Sequence, residues 1–264
     1  MQSWNRSFEK YVQSYNFLWH VIVLGLTNSR VYKRTNGRGH DELRPVSIET
    51  NFVTNSGGSA LITYGSTMLL CTANVDSGVP QFRRDSGLGW LTAEYGMLPG
   101  ATHTRTPREA ASGRQGGRTM EIQRLIGRSL RQAVDFKQLG ESTVQIDCDV
   151  LQADGGTRTA AITGSCVALY HALQQVSPDA FLGWVAAVSV GEVWNEVLLD
   201  MDYSEDGQAD SDVNVVMMQD RGIVEIQGTA ERKPLAHSKL QAALELAEQG
   251  VAELFKLQES SIPS

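Results

Sequence analysis

The stretch from Gln152 to Thr159 combines two glycines, two threonines and an arginine, a pattern that suits the binding of a small anion. It follows an alternating apolar run that predicts a strand, and it precedes a predicted helix. Gly155-Gly156 permits close approach of a ligand, the helix N-terminus offers free N–H groups, and Arg158 matches phosphate oxygens. We therefore predict that this loop, with Thr157 or Thr159 capping the helix, holds a phosphate that takes part in chemistry.

A second glycine pair, in Gly116-Gly117-Arg118-Thr119, also opens a predicted helix. If both glycine pairs face one cleft, Arg118 and Arg158 can share a phosphate or hold neighbouring ones. An ordinary turn into a helix is the alternative interpretation of each loop. The carboxylate of Asp154 also weakens an anion site at the first loop unless it points away.

Six carboxylates crowd around a predicted turn at Asp206-Gly207. Oxygen ligands at this density suit Mg²⁺, and one carboxyl with a raised pKa can instead serve as a general acid. A solvated acidic hairpin is the alternative interpretation. The pattern predicts that the first two members alternate on one face of a strand. The six are Asp200, Asp202, Glu205, Asp206, Asp210 and Asp212.

The charge distribution indicates a polyanionic partner, although the net charge is −7. Residues 101–131 contain seven arginines and two glutamates, a local balance of +5, so the rest of the chain carries −12. Such a basic patch in an acidic protein is typical of a surface that binds nucleic acid or a partner subunit. A solvated helix face is an equal interpretation of Arg124, Arg128 and Arg131.

The 264 residues suffice for a large core, and 41% hydrophobic content is typical of a soluble globular protein. Three cysteines without a Cys-x-x-Cys spacing predict buried free thiols in a reducing compartment. The apolar run over residues 17–26 is too short to span a membrane, which needs about 20 residues. We interpret residues 1–33 as an extension outside the core, a tail, or the product of a start codon assigned too early.

Hydrophobic periodicity predicts an α+β domain over residues 34–264. Residues 76–118 are rich in glycine, proline and arginine, and they are predicted to be irregular. The predicted helices are 119–136, 160–175 and 237–257. The predicted strands are 47–52, 59–64, 67–73, 144–150, 183–190, 192–203, 213–218 and 223–228.

Long motifs make the chain similar to ribonuclease PH, more than to the wider group of exosome and polynucleotide phosphorylase subunits. The resemblance covers residues 36–257. The motifs are Trp90–Pro99, Ala101–Arg105, Arg108–Ala111, Gly116–Arg128, Asp147–Thr159, Val185–Gly191, Asn214–Met217 and Glu225–Glu231.

The resemblance implies a ribosomal-protein-S5-domain-2-like α+β fold with a duplicated unit, assembled as a cytoplasmic homohexamer, a trimer of dimers. It implies a phosphate-dependent 3′→5′ exoribonuclease that shortens tRNA precursors and other RNA 3′ ends. The products are nucleoside 5′-diphosphates, the reverse reaction adds nucleotides, phosphate is a co-substrate and Mg²⁺ is a cofactor. A non-catalytic RNA-binding ring subunit of an exosome-like assembly is the alternative, and a hydrolytic metal-dependent nuclease is a second one.

The resemblance also implies roles for particular residues. Arg105 and Arg108 correspond to residues that contact tRNA. Three features depart from the family pattern: Gly100 replaces a frequent arginine, residues 177–184 form a shorter segment, and residues 1–33 have no counterpart. The phosphate site corresponds to Arg118, Gly156, Thr157 and Arg158, and the catalytic or Mg²⁺-binding aspartates correspond to Asp206 and Asp212.

Overall fold

The structure is a computed structural model, and it describes residues 32–262. The predictions for residues 1–31, including the apolar run, lie outside this range. From Arg34 onward the chain forms one compact unit. Within residues 32–262, no helix has both the length and the apolar character needed to cross a membrane.

The first sheet contains five strands in the spatial order β1-β2-β3-β5-β4. All neighbours are antiparallel except β4 and β5, which are parallel. Alternate side chains of these strands enter the core, as a period of two requires. The strands are β1 Val46–Thr50, β2 Gly58–Tyr64, β3 Thr67–Ser77, β4 Trp90–Met97 and β5 Ser142–Gln152.

Strand β4 corrects the prediction that residues 76–118 are irregular. Leu91, Ala93 and Tyr95 alternate inward and are buried, but the surrounding glycines, prolines and arginines obscured this period of two in the sequence. A short helix, α1 (Glu109–Ser112), also lies in this segment. Strand β4 pairs with a strand about fifty residues further along the chain, so its formation depends mainly on this tertiary pairing.

Helix α2 (Gly117–Leu130) begins at the second glycine pair, as predicted, but it ends before Phe136. The chain continues as a 3₁₀ turn, and then Val134 adopts extended backbone and forms a bridge with Phe181. A new short helix, α3 (Phe136–Leu139), follows. The extended residue therefore explains why the predicted long helix is interrupted.

Helix α4 (Thr157–Val176) runs through the centre of the fold, where it packs against β2 and β3 of the first sheet. It is buried on nearly all sides. At Gly164 the helix approaches the sheet closely, since an added Cβ would lie 2.7 Å from Cγ2 of Ile62.

The second sheet is antiparallel, with the order β7-β6-β8-β9. The predicted strand 192–203 is divided, because Trp194 and Asn195 have positive φ and reverse the chain. Helix α5 (Tyr203–Asp206) then precedes β8, and helix α6 (His237–Ser260) packs across the sheet. The strands are β6 Val185–Val193, β7 Glu196–Leu199, β8 Ser211–Met218 and β9 Gly222–Ala230.

Helix α4 also packs against β6, so the two sheets share one core. The predicted α+β class is confirmed. Cys71, Cys148 and Cys166 are all buried and unpaired, as predicted for structural thiols.

Candidate active site

A small cavity collects residues from distant parts of the chain. The six residues that the resemblance assigns to the phosphate site and to the catalytic aspartates all border it. Its volume of about 50 Å³ exceeds the roughly 10–15 Å³ that one water needs. It therefore has room for several waters or one small anion. The lining residues are Arg118, Gly156, Thr157, Arg158, Ser189, Met201, Asp206, Asp212 and Asn214.

The anion side of the cavity is built on the N-termini of α2 and α4. Gly155 and Gly156 have φ of 81° and 66°, a left-handed conformation that favours glycine, and Gly156 is the N-cap of α4. The predicted capping by Thr157 or Thr159 is wrong. Thr159 Oγ1 donates to the Gly156 carbonyl, and Thr157 shares a 2.9 Å hydrogen bond with the Tyr95 hydroxyl. The first N–H groups of α4 therefore have no side-chain cap and remain available to an anion.

The two arginines of the cavity differ in how they are held. Arg158 donates to Gln227 Oε1 at 3.2 Å and lies 3.6 Å from a carboxylate oxygen of Glu121, contacts that orient its side chain. Arg118 is exposed, and within residues 32–262 it makes no hydrogen bond or ion pair. Both arginines nevertheless act on Asp206. Burial raises the pKa of the Asp206 carboxyl, and the positive charges of the two arginines lower it.

Asp206 and Asp212 form the acidic side of the cavity. Asp206 ends α5, and Asp212 lies in β8 with Asn214 Nδ2 donating to it at 2.9 Å. Burial, and then the charge of Asp206, raise the pKa of Asp212 to about 6. Burial also raises the pKa of the Asp206 carboxyl. Asp212 is thus proton-sensitive near pH 6, and such a perturbed pKa is a common property of catalytic carboxylates.

The other predicted acidic residues have structural roles, which corrects the prediction for Asp200 and Asp202. Asp200 follows β7 with φ of 50°, and its buried carboxylate pairs with Arg44. Asp202 is the N-cap of α5, in a capping box with Glu205. Because neither residue lies in a strand, the predicted alternation on one face does not exist. Only two of the six carboxylates border the cavity.

The carboxylate pair has the donor chemistry that Mg²⁺ prefers. Within residues 32–262, no set of three or more His, Cys, Asp or Glu side chains is arranged to hold a metal ion. Mg²⁺ commonly takes only one or two carboxylates and completes its shell with water and substrate oxygens. Asp206 and Asp212, which repel each other, fit that requirement.

Two polar residues of the cavity were missed as site residues in the sequence. Ser189 on β6 and Asn214 on β8 are direct partners across the sheet. The Ser189 side-chain oxygen is buried and has no hydrogen-bond partner among the described residues. A lone serine within an otherwise apolar strand was the available signal, because buried polar groups normally require a partner.

The predicted RNA-contacting arginines lie outside the small cavity. Arg105 is exposed and makes no hydrogen bond or ion pair within residues 32–262. Its loop reaches α5, where the rings of His103 and Tyr203 are 5.6 Å apart. Gly100 in the same segment has no atom within 4 Å of an added Cβ, so the position has room for a side chain.

Arg108 borders a second and larger cavity of about 770 Å³ on the outer face of the first sheet. Its opposite wall carries Glu94, Asp147 and Asp149. Burial raises the pKa of Asp147, and the negative charges of Glu94 and Asp149 raise it further. Although this cavity is the larger, its acidic wall disfavours a polyanion. The small cavity, in which two arginines face two carboxylates, is therefore the better candidate for phosphate chemistry.

Two arginines of the basic stretch have structural partners. Arg128 forms a bidentate pair with Glu225 on β9. Arg131 lies 4.1 Å from the ring centroid of Trp90 and donates to the Leu91 carbonyl. Arg128 is exposed, as a solvated face requires, whereas the solvated-face interpretation is wrong for half-buried Arg131.

The fold and the cavity define a two-sheet α+β protein with a combined anion and carboxylate site. Residues 42–174 match domain 1 of the 3′ exoribonuclease (ribonuclease PH) family, and residues 183–250 match domain 2. The chain therefore belongs to this family.

Solved structures support the same fold. The chain is similar to rice (Oryza sativa) Rrp46, with 18% identity, a TM-score of 0.73, and coverage of 86% of this chain and 99% of Rrp46. It is also similar to a chain of the Archaeoglobus fulgidus exosome with RNA bound to the active site, with 24% identity, a TM-score of 0.75, and 89% and 95% coverage. A third similarity, to an archaeal exosome core, has 22% identity, a TM-score of 0.68, and 87% and 91% coverage.

Proposed function

We propose that this protein is a phosphate-dependent 3′→5′ exoribonuclease of the ribonuclease PH type. The main support is a single cavity that combines two arginines, an uncapped helix N-terminus and a proton-sensitive carboxylate pair. Membership of the 3′ exoribonuclease family supports the class of substrate. A phosphorolytic enzyme must hold a free phosphate beside its carboxylates, and the small cavity offers the groups for this.

In the proposed reaction, inorganic phosphate binds between Arg118, Arg158 and the first N–H groups of α4. One of its oxygens bonds to the phosphorus of the last phosphodiester, and the bond from that phosphorus to the preceding 3′-oxygen breaks. The products are a nucleoside 5′-diphosphate and an RNA shortened by one nucleotide. The arginines offset the negative charge that develops on the phosphoryl oxygens.

The proton balance involves the carboxylate pair. Hydrogen phosphate loses a proton as it becomes part of the diphosphate, and the departing 3′-oxygen gains one, so no net proton is consumed. Asp212, together with Asp206, is assigned either to this proton transfer or, in ionised form, to holding Mg²⁺. When bound, Mg²⁺ supplies positive charge to the reacting phosphoryl group.

The substrate is proposed to be the 3′ end of tRNA precursors and of other RNAs. Exposed Arg105, with Arg108 at the edge of the larger cavity, would bind the RNA backbone. The proposed assembly is a homohexameric ring, a trimer of dimers, and the proposed location is the cytoplasm. Because one phosphate ester is exchanged for another, the reverse addition of nucleotides is part of the proposal.

Labelled RNA incubated with and without phosphate tests this function. The expected result is release of nucleoside diphosphates only when phosphate is present. Nucleoside monophosphates, or decay that is independent of phosphate, would show that the reaction is hydrolytic. A native mass measurement tests the ring independently of its chemistry.

A second candidate is a non-catalytic RNA-binding subunit of an exosome-like ring. The fold similarity to exosome structures favours it. It predicts that the pure protein binds RNA without phosphate-dependent turnover, and that Asp212→Asn changes neither binding nor decay. Phosphate-dependent turnover that disappears in Asp212→Asn would exclude it.

A further inference from the structure

A buried ion pair lies directly behind the candidate anion site. Arg44 and Asp200 are 5% and 2% exposed. Arg44 Nε donates to Asp200 Oδ2 at 2.9 Å, and Nη2 donates to Oδ1 at 2.6 Å. The backbone N–H of Arg44 also donates to Oδ2, at 2.8 Å. The planar fork of arginine and a carboxylate are thus fixed in one relative orientation.

The same guanidinium contacts the loop that precedes α4. Nη1 donates to the Asp154 carbonyl at 2.5 Å, and Nη2 donates to the Gly155 carbonyl at 3.4 Å. Buried Thr67 strengthens this link, since its hydroxyl donates to the Gly155 carbonyl at 2.7 Å and accepts from Asp154 N–H at 2.9 Å. With both carbonyls held from behind, the orientation of the glycine peptides is set.

The far side of the loop packs against the segment that leads into α5. A Cβ on Gly155 would lie 2.7 Å from the Met201 carbonyl oxygen and 2.9 Å from the Tyr203 nitrogen. Asp200, at the start of that segment, donates its N–H to the Ser189 carbonyl at 2.7 Å. Arg44 and Asp200 therefore connect the glycine loop with the strand and helix that carry the other half of the cavity.

A second buried pair, Arg34 and Glu205, holds α5 itself. Arg34 Nε and Nη2 donate to the two carboxylate oxygens of Glu205 at 2.8 and 2.7 Å, and both side chains are 0% exposed. Arg34 also donates to the carbonyls of Leu199 and Asp200. Among the described residues it makes no hydrogen bond to the glycine loop. Glu205 immediately precedes Asp206, so this pair supports the acidic half directly, and it reaches the glycine loop only indirectly, through the Asp200 backbone.

We propose that Arg44 is a positioning residue for bound phosphate, acting through Asp200, Thr67 and the carbonyls of the glycine loop. Arg34, through Glu205, positions Asp206 instead. Arg44 is buried and neutralised, so it does not touch the phosphate. The inference rests on the proposed function, because it assumes that phosphate binds at Gly156 and Arg158.

Arg44→Lys and Arg34→Lys form a matched pair for the test, since lysine keeps each charge but loses the fork. The dissociation constant of inorganic phosphate is measured calorimetrically on the intact protein without RNA, and kcat and KM are measured in parallel. For Arg44→Lys we expect phosphate to bind about 10- to 100-fold more weakly, as small displacements at a site can cause. For Arg34→Lys we expect phosphate affinity to stay within about twofold while kcat falls.

Equal weakening of phosphate binding in both variants would overturn the inference, because it would indicate general loss of structure. Unchanged phosphate affinity in folded Arg44→Lys would overturn it too. If Arg44→Lys does not fold, Thr67→Val removes the other support of the Gly155 carbonyl without leaving a buried charge. Phosphate binding should weaken in Thr67→Val, and unchanged affinity there contradicts the inference.

The same measurements separate this inference from the proposed function. Wild-type protein that binds phosphate but never releases nucleoside diphosphates would refute the proposed reaction. In that case the contrast between Arg44→Lys and Arg34→Lys in phosphate binding still decides the positioning role. Wild-type protein that binds no phosphate would overturn both.

Discussion

Arg118 and Arg158 occupy the same position in two different helices and border one cavity. Each is the second residue of its helix, and each helix follows a glycine N-cap without a side-chain cap. The two helices thus present equivalent ends, each with an arginine, to the same small volume. The proposed phosphate site would therefore be formed jointly by both glycine pairs.

Replacement of either arginine by lysine is expected to weaken phosphate binding. Lysine keeps the charge but cannot form two parallel hydrogen bonds to phosphate. Loss of one charge-assisted bond corresponds to a rise of about tenfold in the KM for phosphate. Arg124→Lys is the control, since Arg124 is exposed on the same helix as Arg118 and does not border the cavity. Equal effects of Arg124→Lys and Arg118→Lys would contradict the assignment.

Mg²⁺ binding is expected to depend on pH through Asp212. Its pKa is raised to about 6, so Asp212 is protonated below that pH and cannot serve as an ionised ligand. Titration of the protein with Mg²⁺ should show affinity about tenfold lower at pH 5 than at pH 7.5, and little pH dependence in Asp212→Asn. Kinetics that fall as pH rises through 6 would instead identify Asp212 as a general acid.

The same pKa gives a stability prediction for Asp212→Asn. A folded pKa above the unfolded value means that stability is fully present below about pH 4 and is lost as pH rises through about 6. A shift of about two units corresponds to about 2–3 kcal/mol at neutral pH. The variant should therefore melt at a higher temperature than wild type at pH 7.5, and with little difference at pH 4. A lower melting temperature of the variant at pH 7.5 would show that burial does not destabilise the ionised Asp212 carboxylate.

Ser189→Ala is expected to weaken substrate or phosphate binding without destabilising the fold. The Ser189 hydroxyl is buried at the cavity and has no partner within the described chain, so its removal breaks no internal hydrogen bond. A neutral hydrogen bond to a ligand is worth about 1 kcal/mol, or roughly fivefold in affinity. Ser165→Ala on α4 is the comparison, because Ser165 contacts Cys148 in the core. Wild-type affinities in Ser189→Ala would show that the hydroxyl has no ligand.

Gly155→Ala is expected to disrupt the site, whereas Gly78→Ala is expected to cost only backbone strain. Both glycines have positive φ, 81° and 92°. At Gly155 an added Cβ would lie 2.7 Å from the Met201 carbonyl, but at Gly78 no atom lies within 4 Å. Strain alone costs about 1–3 kcal/mol. Phosphate affinity, measured on both folded variants, should fall only in Gly155→Ala, and a fall in Gly78→Ala would contradict the local explanation.

Arg105→Gln is expected to weaken RNA binding and to reduce its dependence on salt. Each lost phosphate contact on single-stranded RNA lowers the slope of log affinity against log salt by about 0.7. Arg221→Gln, in the turn between β8 and β9, is the control because Arg221 is exposed but lies outside the basic stretch. An unchanged slope in Arg105→Gln, with altered oligomer mass, would assign the residue to a subunit interface.

The parts of the site that depend on local sequence were predictable. Gly116 and Gly156 are recognisable because a glycine pair before a helix leaves a local pattern, and both become helix N-caps. Their convergence on Asp206 and Asp212 was inferred from resemblance and then appeared in the cavity. The roles of these residues remain proposals.

The parts that depend on distant contacts were not predictable. Asp200 resembled a metal ligand in an acidic run, but its partner Arg44 lies 156 residues away. Strand β4 was missed because its neighbour β5 follows a long helical segment. Ser189 was missed because a lone serine in an apolar strand indicates a buried polar group but does not show that the group faces a cavity. In each case the deciding contact joins residues that are distant in the sequence, and hydrophobic periodicity does not report such contacts.

The burial of α4 on nearly all sides has an evolutionary consequence. The residues that hold this helix between the two sheets also determine where its first turn, with Thr157 and Arg158, meets the cavity. Selection for a stable core and selection for the proposed phosphate site would therefore act on the same positions. A substitution at a core residue such as Ile62, which lies against Gly164, is therefore expected to change the affinity of the proposed site as well as the stability of the fold.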